Sequence, residues 1–436
     1  MEENSQIKFN TYKNGGFQNK IIYKVMLMGY NGANNTGSEI RLISIIEDIR
    51  KVLGSDVQIT IPTLNEKNLR RYIKEDSKLI IVPVPSIFFF AIKTLVKDQD
   101  LVLLVEGSCY MDTWTSTLLW AFLWTTRCVH SLNIPCIAYS VDTGDLSYLN
   151  KYLVKREASK TDLIITRTSY AAGKLKKIGV TAPIKHTADS AFIFQPQSEE
   201  YNTIQKIWKQ EKSSKKTDIV GIAIVDFNLW PVIIRPWGSR KNLYKWPYYF
   251  SRSAKRIRAT NYLAFKWAAE ADRIIETYQK EIIFICMEEL DEALAENIVN
   301  KMKYPQNIRI FSSKKFNASH IIAILRNIDF LITSRYHTAV LSLEAGIPQI
   351  AVGHDLRLKT LYKDLGLYDE YFIEYIYKEN KDIWNHLSNC VDNLFKNPIN
   401  NHNKINKGFI EHLKKSKKNH VLLKEFLEKN GWNVGI

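Results

Sequence analysis

Acidic residues are missing from one long stretch of this chain. None occurs between Phe227 and Ala269, although the same span carries Arg235, Arg240, Lys241, Lys245, Arg252, Lys255, Arg256, Arg258 and Lys266. Cysteine is sparse: Cys109, Cys128, Cys136, Cys286 and Cys390 show no C-x-x-C pair and no zinc spacing, which argues for reduced, buried thiols and against a disulfide scaffold. The polar start, MEENSQIKFNTYKNGGFQNK, has no apolar core and is not a secretory signal. Long apolar runs are also absent. Leu79 to Val96 approaches the length of a membrane span but is broken by Pro83, Pro85 and Lys93, and Thr117 to Thr126 is too short to cross. Neither G-x-G-x-x-G nor a P-loop occurs, so the usual dinucleotide and nucleotide fingerprints are excluded.

What is present is a globular composition on a large scale. The 436 residues are 45% hydrophobic and 12% aromatic, too apolar for a disordered chain and too many for one compact core. Short apolar runs alternate with helical patterns from residue 21 onward. Ile21 to Met28 reads as a first strand, then a Gly- and Asn-rich turn from Gly29 to Gly37, then a helix from Ser38 to Val52. Such a turn lets a ligand approach the backbone closely. Strands near Val57–Ile61, Leu79–Val82, Leu101–Val105, Pro135–Ser140 and Asp162–Thr166 follow, separated by helices. Repeated units of this length imply a doubly wound parallel sheet. Asp189, after the last short strand, suits capping the following turn.

Residues 195 to 217 are polar and read as a linker with some helix; Asp218 to Val225 opens a second set of alternations. Its centre is DFLITSRYHTAVLSLEAGIPQIAVGHDLRLKTLYKDLGL, from Asp329 to Leu367. A buried strand (Asp329–Thr333) leads to a helix (Tyr336–Ala345) that Gly346 and Pro348 stop, and a second strand follows at Gln349–Val352. Ligands of open parallel sheets sit at the carboxyl ends of strands, where this unit places Arg335 and His337. A guanidinium and an imidazole beside a helix N-terminus form an anion site. A surface ion pair and a turn histidine fit the same spacing, and spacing alone leaves both open.

The acid-free stretch interleaves its cations with Trp230, Trp237, Tyr244, Trp246, Tyr248, Tyr249 and Phe250. That mixture suits a membrane interface, stacking on sugars, or an ordinary solvated insertion. No nucleic-acid motif accompanies it, so no nucleic-acid partner is expected. The net charge of +16 by itself fits an anionic partner, whether nucleic acid, phospholipid, lipid diphosphate or phosphorylated metabolite, and fits a merely highly charged surface as well.

Taken in order, these segments resemble the polysaccharide pyruvyl transferase family. SRYHTAVLSLEAGIPQIAVGHD matches its Arg-x-His segment and the strand and turn that follow, and GANNTGSEI matches its first loop through Asn35, Gly37 and Glu39. SVDTGDL with Asp142, KTDLIITRTSYAAGKLKKIGV and HTADSAF match three further segments. The resemblance implies an α/β fold of GT-B type, two Rossmann-like domains facing a cleft, with C-terminal helices packing back. The expected division is a disordered 1–20, domains at 21–195 and 218–370 joined by 196–217, an insertion at 227–260, and a helical 371–436. It also implies transfer of a pyruvyl group from phosphoenolpyruvate to two hydroxyls of a sugar, forming a cyclic ketal, with no metal and no redox cofactor. Arg335 would clamp the donor anion and His337 would act as general acid. Asn35, Gly37, Glu39 and Asp142 would bind substrate, with Asn35 and Glu39 facing the cleft. The acceptor would be a glycan or lipid-linked glycan. A cytoplasmic protein is expected, touching an anionic membrane at its inner face through 227–260.

The family pattern is not complete. Its first-loop Asp is Ser38, a Gly-rich segment reads Val105-Glu106-Gly107-Ser108, and an Arg after the first strand of the second domain is missing, with Arg235 as the candidate substitute. Glu344, before Ala345-Gly346, resembles the ribose-binding Glu of nucleotide-sugar glycosyltransferases, which keeps such an enzyme as the alternative. It fits a salt bridge at a helix end as well.

Overall fold

The computed structural model describes residues 22–214, 217–229, 232–238, 246–250, 253–375 and 383–435. The expected disordered residues 1–20 and part of the basic insertion lie outside them.

Seven strands form the first sheet: β1 (Lys24–Met28), β2 (Gln58–Thr63), β3 (Leu79–Pro83), β4 (Leu101–Leu104), β5 (Cys136–Val141), β6 (Leu163–Thr166) and β7 (Ile184–His186). They pair in parallel in the order β3-β2-β1-β4-β5-β6-β7. Every residue of β4 and β5 is buried, because helices cover both faces; this is why these strands read as unbroken apolar runs instead of alternating ones.

The second domain opens with β8 (Ile219–Ala223), and two short strands, β9 (Val232–Ile234) and β10 (Tyr248–Phe250), pair antiparallel within the insertion. Then come β11 (Glu281–Cys286), β12 (Arg309–Ser312), β13 (Phe330–Thr333), β14 (Gln349–Gly353) and β15 (Phe372–Glu374). Its six-stranded sheet is parallel in the order β12-β11-β8-β13-β14-β15. Strand order reverses between β1 and β4 in one sheet and between β8 and β13 in the other. Loops leaving the carboxyl ends of these four strands line one cleft of about 280 Å³ between the domains.

Several contacts hold the cleft walls in register. The Thr36 N–H donates to the Met287 carbonyl at 2.8 Å, Ser313 Oγ to the Asn34 carbonyl at 2.7 Å, and Arg71 Nη2 to the Ser313 carbonyl at 2.7 Å. The Gly- and Asn-rich first loop therefore docks the second domain besides lining the cleft. At the chain's far end the helices Ile383–Lys396, Pro398–Ser416 and Lys418–Lys429 run back across both domains. Asn401 accepts from the Gln349 N–H and donates to its carbonyl, while Leu423 and Leu427 complete the first domain's core.

The stretch read as a linker with some helix is helical over most of its length. Ser198–Ser214 is a helix packed on the second domain, where Trp208 is buried and donates its indole N–H to the Asn327 carbonyl at 3.1 Å. Its polar sequence hid a single apolar stripe. Among the described residues no helix is long and apolar enough to cross a membrane.

Candidate active site

Three helices begin at the cleft: Thr36–Leu53, Tyr336–Ser342 and Leu356–Asp364. Asn35 caps the first by accepting the Ser38 N–H, and Asp355 caps the third by accepting the Arg357 N–H. The second starts at Arg335, which offers no side-chain cap. Asn35, Gly37, Ser38, Arg335, Tyr336, His337, Asp355 and Arg357 all line the cleft, so three positive dipole ends converge there.

His337 lies directly on Gly37. A β-carbon built there would stand 2.0 Å from Nδ1, so only glycine admits the ring. His337 Nε2 is 3.5 Å from Asp189 Oδ2, the outer limit of a hydrogen bond. Burial pulls the imidazole pKa below its ordinary value, against the opposing pull of Asp189. The ring is accordingly neutral at pH 7, and a neutral imidazole accepts a proton more readily than it gives one.

Asp189 is the buried hub behind it. Besides capping its turn through the Ala191 N–H at 2.9 Å, it pairs with Arg167 and lies 3.2 Å from Arg41 Nε. Burial alone would raise its pKa, but Arg167 and Arg41 hold the carboxyl well below the usual range. Asp142 accepts from Arg167 Nε at 3.0 Å and from the Thr143 N–H at 2.9 Å. Asp142 is buried and is not part of the cleft lining; it orients Arg167, whose guanidinium lies 4.8 Å from the centre of the Tyr336 ring.

Arg335 is already engaged. It donates in a fork to Asp291, with Nε–Oδ2 at 2.9 Å, and its Nη1 lies 3.1 Å from Glu288 Oε2. One guanidinium thus serves two buried carboxyls, and Glu288 has the lesser share. Burial, with Asp291 adding to it and Arg335 opposing, raises the Glu288 pKa to about 7. Glu288 lines the cleft. Its segment, MEELDEAL, shows only a helix start with a capping box, so sequence reasoning passed over it. The pairing with Arg335 is a long-range contact that no local pattern announces.

Besides Asp142, three further expected site residues are elsewhere. Glu39 is buried beneath the first helix and does not line the cleft; Arg71 stands 4.0 Å away. Helical spacing explains this, because two residues beyond Gly37 the side chain has turned off the cleft face. Glu344 pairs with Arg326 in the turn after its helix and is not part of the cleft lining. Arg235 belongs to the β9–β10 hairpin, donates to the Phe250 carbonyl at 2.9 Å, and also lies off the cleft lining. Ser38, which stands where the family pattern has an Asp, donates from Oγ to Glu106 Oε2 at 3.3 Å, so a carboxylate lies beside that position. Among the described residues no cluster of His, Cys, Asp or Glu is placed to hold a metal ion.

Burial raises the Glu39 pKa from 4.5 to about 8, with Arg71 opposing. The folded chain therefore keeps a proton that an unfolded glutamate releases near pH 4.5. Rising pH through that window costs stability, up to roughly 4 kcal/mol at its end. Glu39→Gln is expected to flatten this dependence, read from denaturation midpoints at pH 5 and pH 8. An unchanged slope would mean that Arg71 keeps the carboxylate charged.

The family model for polysaccharide pyruvyl transferase matches residues 34–355, most of the chain and most of the cleft lining, with Arg357 just beyond the match. The chain belongs to the polysaccharide pyruvyl transferase family. No curated protein matches it. Among solved structures it is similar to S. aureus MnaA with UDP (TM-score 0.61, 9% identity, covering 94% of this chain and 97% of that one). It is similar also to a putative UDP-N-acetylglucosamine 2-epimerase from Listeria monocytogenes (0.58, 11%, 95% and 98%) and to Anabaena Alr3699/HepE with UDP-glucose (0.56, 10%, 93% and 99%). At these identities the likeness establishes the GT-B-like fold of two Rossmann-like domains. Membership of a transferase family identifies the chain as an enzyme, and in this chain Arg335 and His337, both inside the matched region, lie at the cleft.

Proposed function

We propose that this pyruvyl transferase family member moves the pyruvyl group of phosphoenolpyruvate onto two hydroxyls of a glycan or lipid-linked glycan. What carries the reading is the convergence of three helix N-termini, His337, Glu288 and Arg357 on one cleft. The donor's carboxylate and phosphate would meet the helix dipoles and the guanidiniums of Arg357 and Arg335, each of whose terminal nitrogens keeps a further N–H. Glu288, protonated below about pH 7, gives its proton to the methylene carbon. The first sugar hydroxyl bonds to the neighbouring carbon and passes its proton to His337. The carbon–oxygen bond to phosphate then breaks, the second hydroxyl closes the ketal, and its proton leaves with the phosphate. Return of the first proton from His337 to Glu288 restores both groups, and no metal or redox cofactor enters this sequence. Glu106, with Ser38 and Ser108 beside it, supplies acceptors for sugar hydroxyls.

A nucleotide-sugar glycosyltransferase was the alternative on the strength of Glu344, and that carboxylate is committed to Arg326 outside the cleft lining. Phosphoenolpyruvate is an intracellular metabolite, so the pyruvyl-transfer reading goes with a cytoplasmic protein.

Thermal-shift titration separates the two donors without an acceptor, because a ligand of the folded state raises the melting temperature by mass action. A saturable rise with phosphoenolpyruvate, absent with uridine diphosphate and weakened in Arg357→Gln, is the expected result. A response to uridine nucleotides alone would replace pyruvyl transfer with glycosyl transfer. Arg335→Ala is the poorer probe, because it strands Asp291 and Glu288 and costs about 3–5 kcal/mol of stability.

A further inference from the structure

Two walls of the cleft mouth are apolar on both sides. In the first domain Phe88 lines the cleft, while its neighbours Ile87 and Phe90 are 50% and 84% exposed. In the second domain Val232 and Tyr248 line the cleft, while Ile234, Trp246 and Trp237 are 51%, 52% and 75% exposed. The walls join where Tyr248 Oη donates to the Ser86 carbonyl at 2.7 Å and the Val232 N–H donates to the Trp114 carbonyl at 3.0 Å. Ile234 is the direct strand partner of Tyr248, and Ile87 follows Ser86, so an exposed apolar residue flanks this junction on each side. Inner faces of this kind are ordinary packing. Outer faces carrying a Phe and two Trp at such exposure need a partner of their own.

Charge identifies that partner. Lys93 is exposed on the helix that carries Phe90, and Lys255 and Arg258 are exposed on the helix following the hairpin. The hairpin and the start of that helix lie wholly within the acid-free span. A second copy docking through this surface would bring two acid-free basic segments together. On the insertion side, aromatic side chains set among Lys and Arg in a span free of carboxylates fit the headgroup region of an anionic bilayer.

We propose that the cleft mouth, through Ile87 and Phe90 of the first domain together with Ile234, Trp237 and Trp246 of the second, docks onto an anionic membrane surface. The sequence alone pointed to the insertion; the structure adds a second wall from the other domain, so that the membrane contacts both sides of the cleft entrance. An acceptor embedded in the bilayer would reach the site from that side. The docking does not depend on which donor the enzyme uses, so its test stands apart from the donor titration.

The test is co-sedimentation of the full chain with phosphatidylcholine vesicles containing about 30% phosphatidylglycerol, against phosphatidylcholine alone. Binding to the anionic vesicles only, weakening with added salt, is expected. Ile87→Ser/Phe90→Ser and Ile234→Ser/Trp237→Ser should each lower partitioning roughly tenfold with unchanged circular dichroism. Should a double variant not fold, Phe90→Ser alone, at the most exposed position, carries the test. No vesicle binding, or binding that neither variant weakens, overturns the proposal. Loss in the insertion variant alone overturns the two-walled surface. A dimer in solution that the same variants dissociate assigns the surface to a second copy and overturns it as well.

Discussion

Exchanging Glu288 for glutamine is expected to lower kcat for pyruvyl transfer by roughly two to four orders of magnitude while phosphoenolpyruvate still raises the melting temperature. One arginine, Arg335, faces two buried carboxyls. Asp291 takes the fork of Arg335 and Glu288 a single contact at 3.1 Å, so the proton that the burial demands settles on Glu288. Glutamine keeps the size and can still accept from Arg335, so the wall of the cleft persists; what it lacks is a transferable proton. The pH profile separates this from a structural effect. In the wild type kcat/KM should rise as His337 loses its proton, below the ordinary histidine range, and fall as Glu288 ionises near pH 7. In Glu288→Gln the alkaline fall should be gone from whatever activity remains. A variant with wild-type kcat, or with the alkaline limb intact, would move the acid to another residue.

This assignment turns the expected role of His337 around, and the reason is instructive about what a sequence carries. The strand, turn and helix from Asp329 to Ser342 were legible because each depends on neighbours within a few residues, and β13 with its helix lies where the spacing put it. The parallel alternation was legible for the same reason. Protonation states were not, because they follow from contacts between distant segments: Asp189 behind His337, Glu288 beside Arg335, Arg167 between Asp142 and Asp189. Helical phase decided Glu39, which a motif reading places in the cleft and the geometry turns beneath it. The hairpin was hidden because β9 and β10 are three residues each and far apart in the insertion, too short for a period of two to register.

Gly37→Ala removes no functional group, and the mutant should nonetheless lose about a hundredfold in kcat. The added methyl would stand 2.0 Å from Nδ1 and 2.4 Å from Cγ of His337, closer than any real contact. Something must yield. The start of the helix is pinned by the Thr36 bond to Met287 and by the Asn35 cap, so the imidazole is the softer partner. Swinging it aside takes Nε2 from Asp189 and the ring from the substrate's path. Alanine otherwise favours a helix over glycine by about 1 kcal/mol, so a large loss of activity with little loss of stability points to the ring and not to the helix. A double-mutant cycle makes the mechanism explicit. If Gly37 acts by holding His337 in place, Gly37→Ala/His337→Gln should be no slower than His337→Gln alone, because the displaced group has already been removed. Losses that multiply would instead show that Gly37 serves the cleft independently, by letting the donor approach the helix N-terminus in whose first turn it sits.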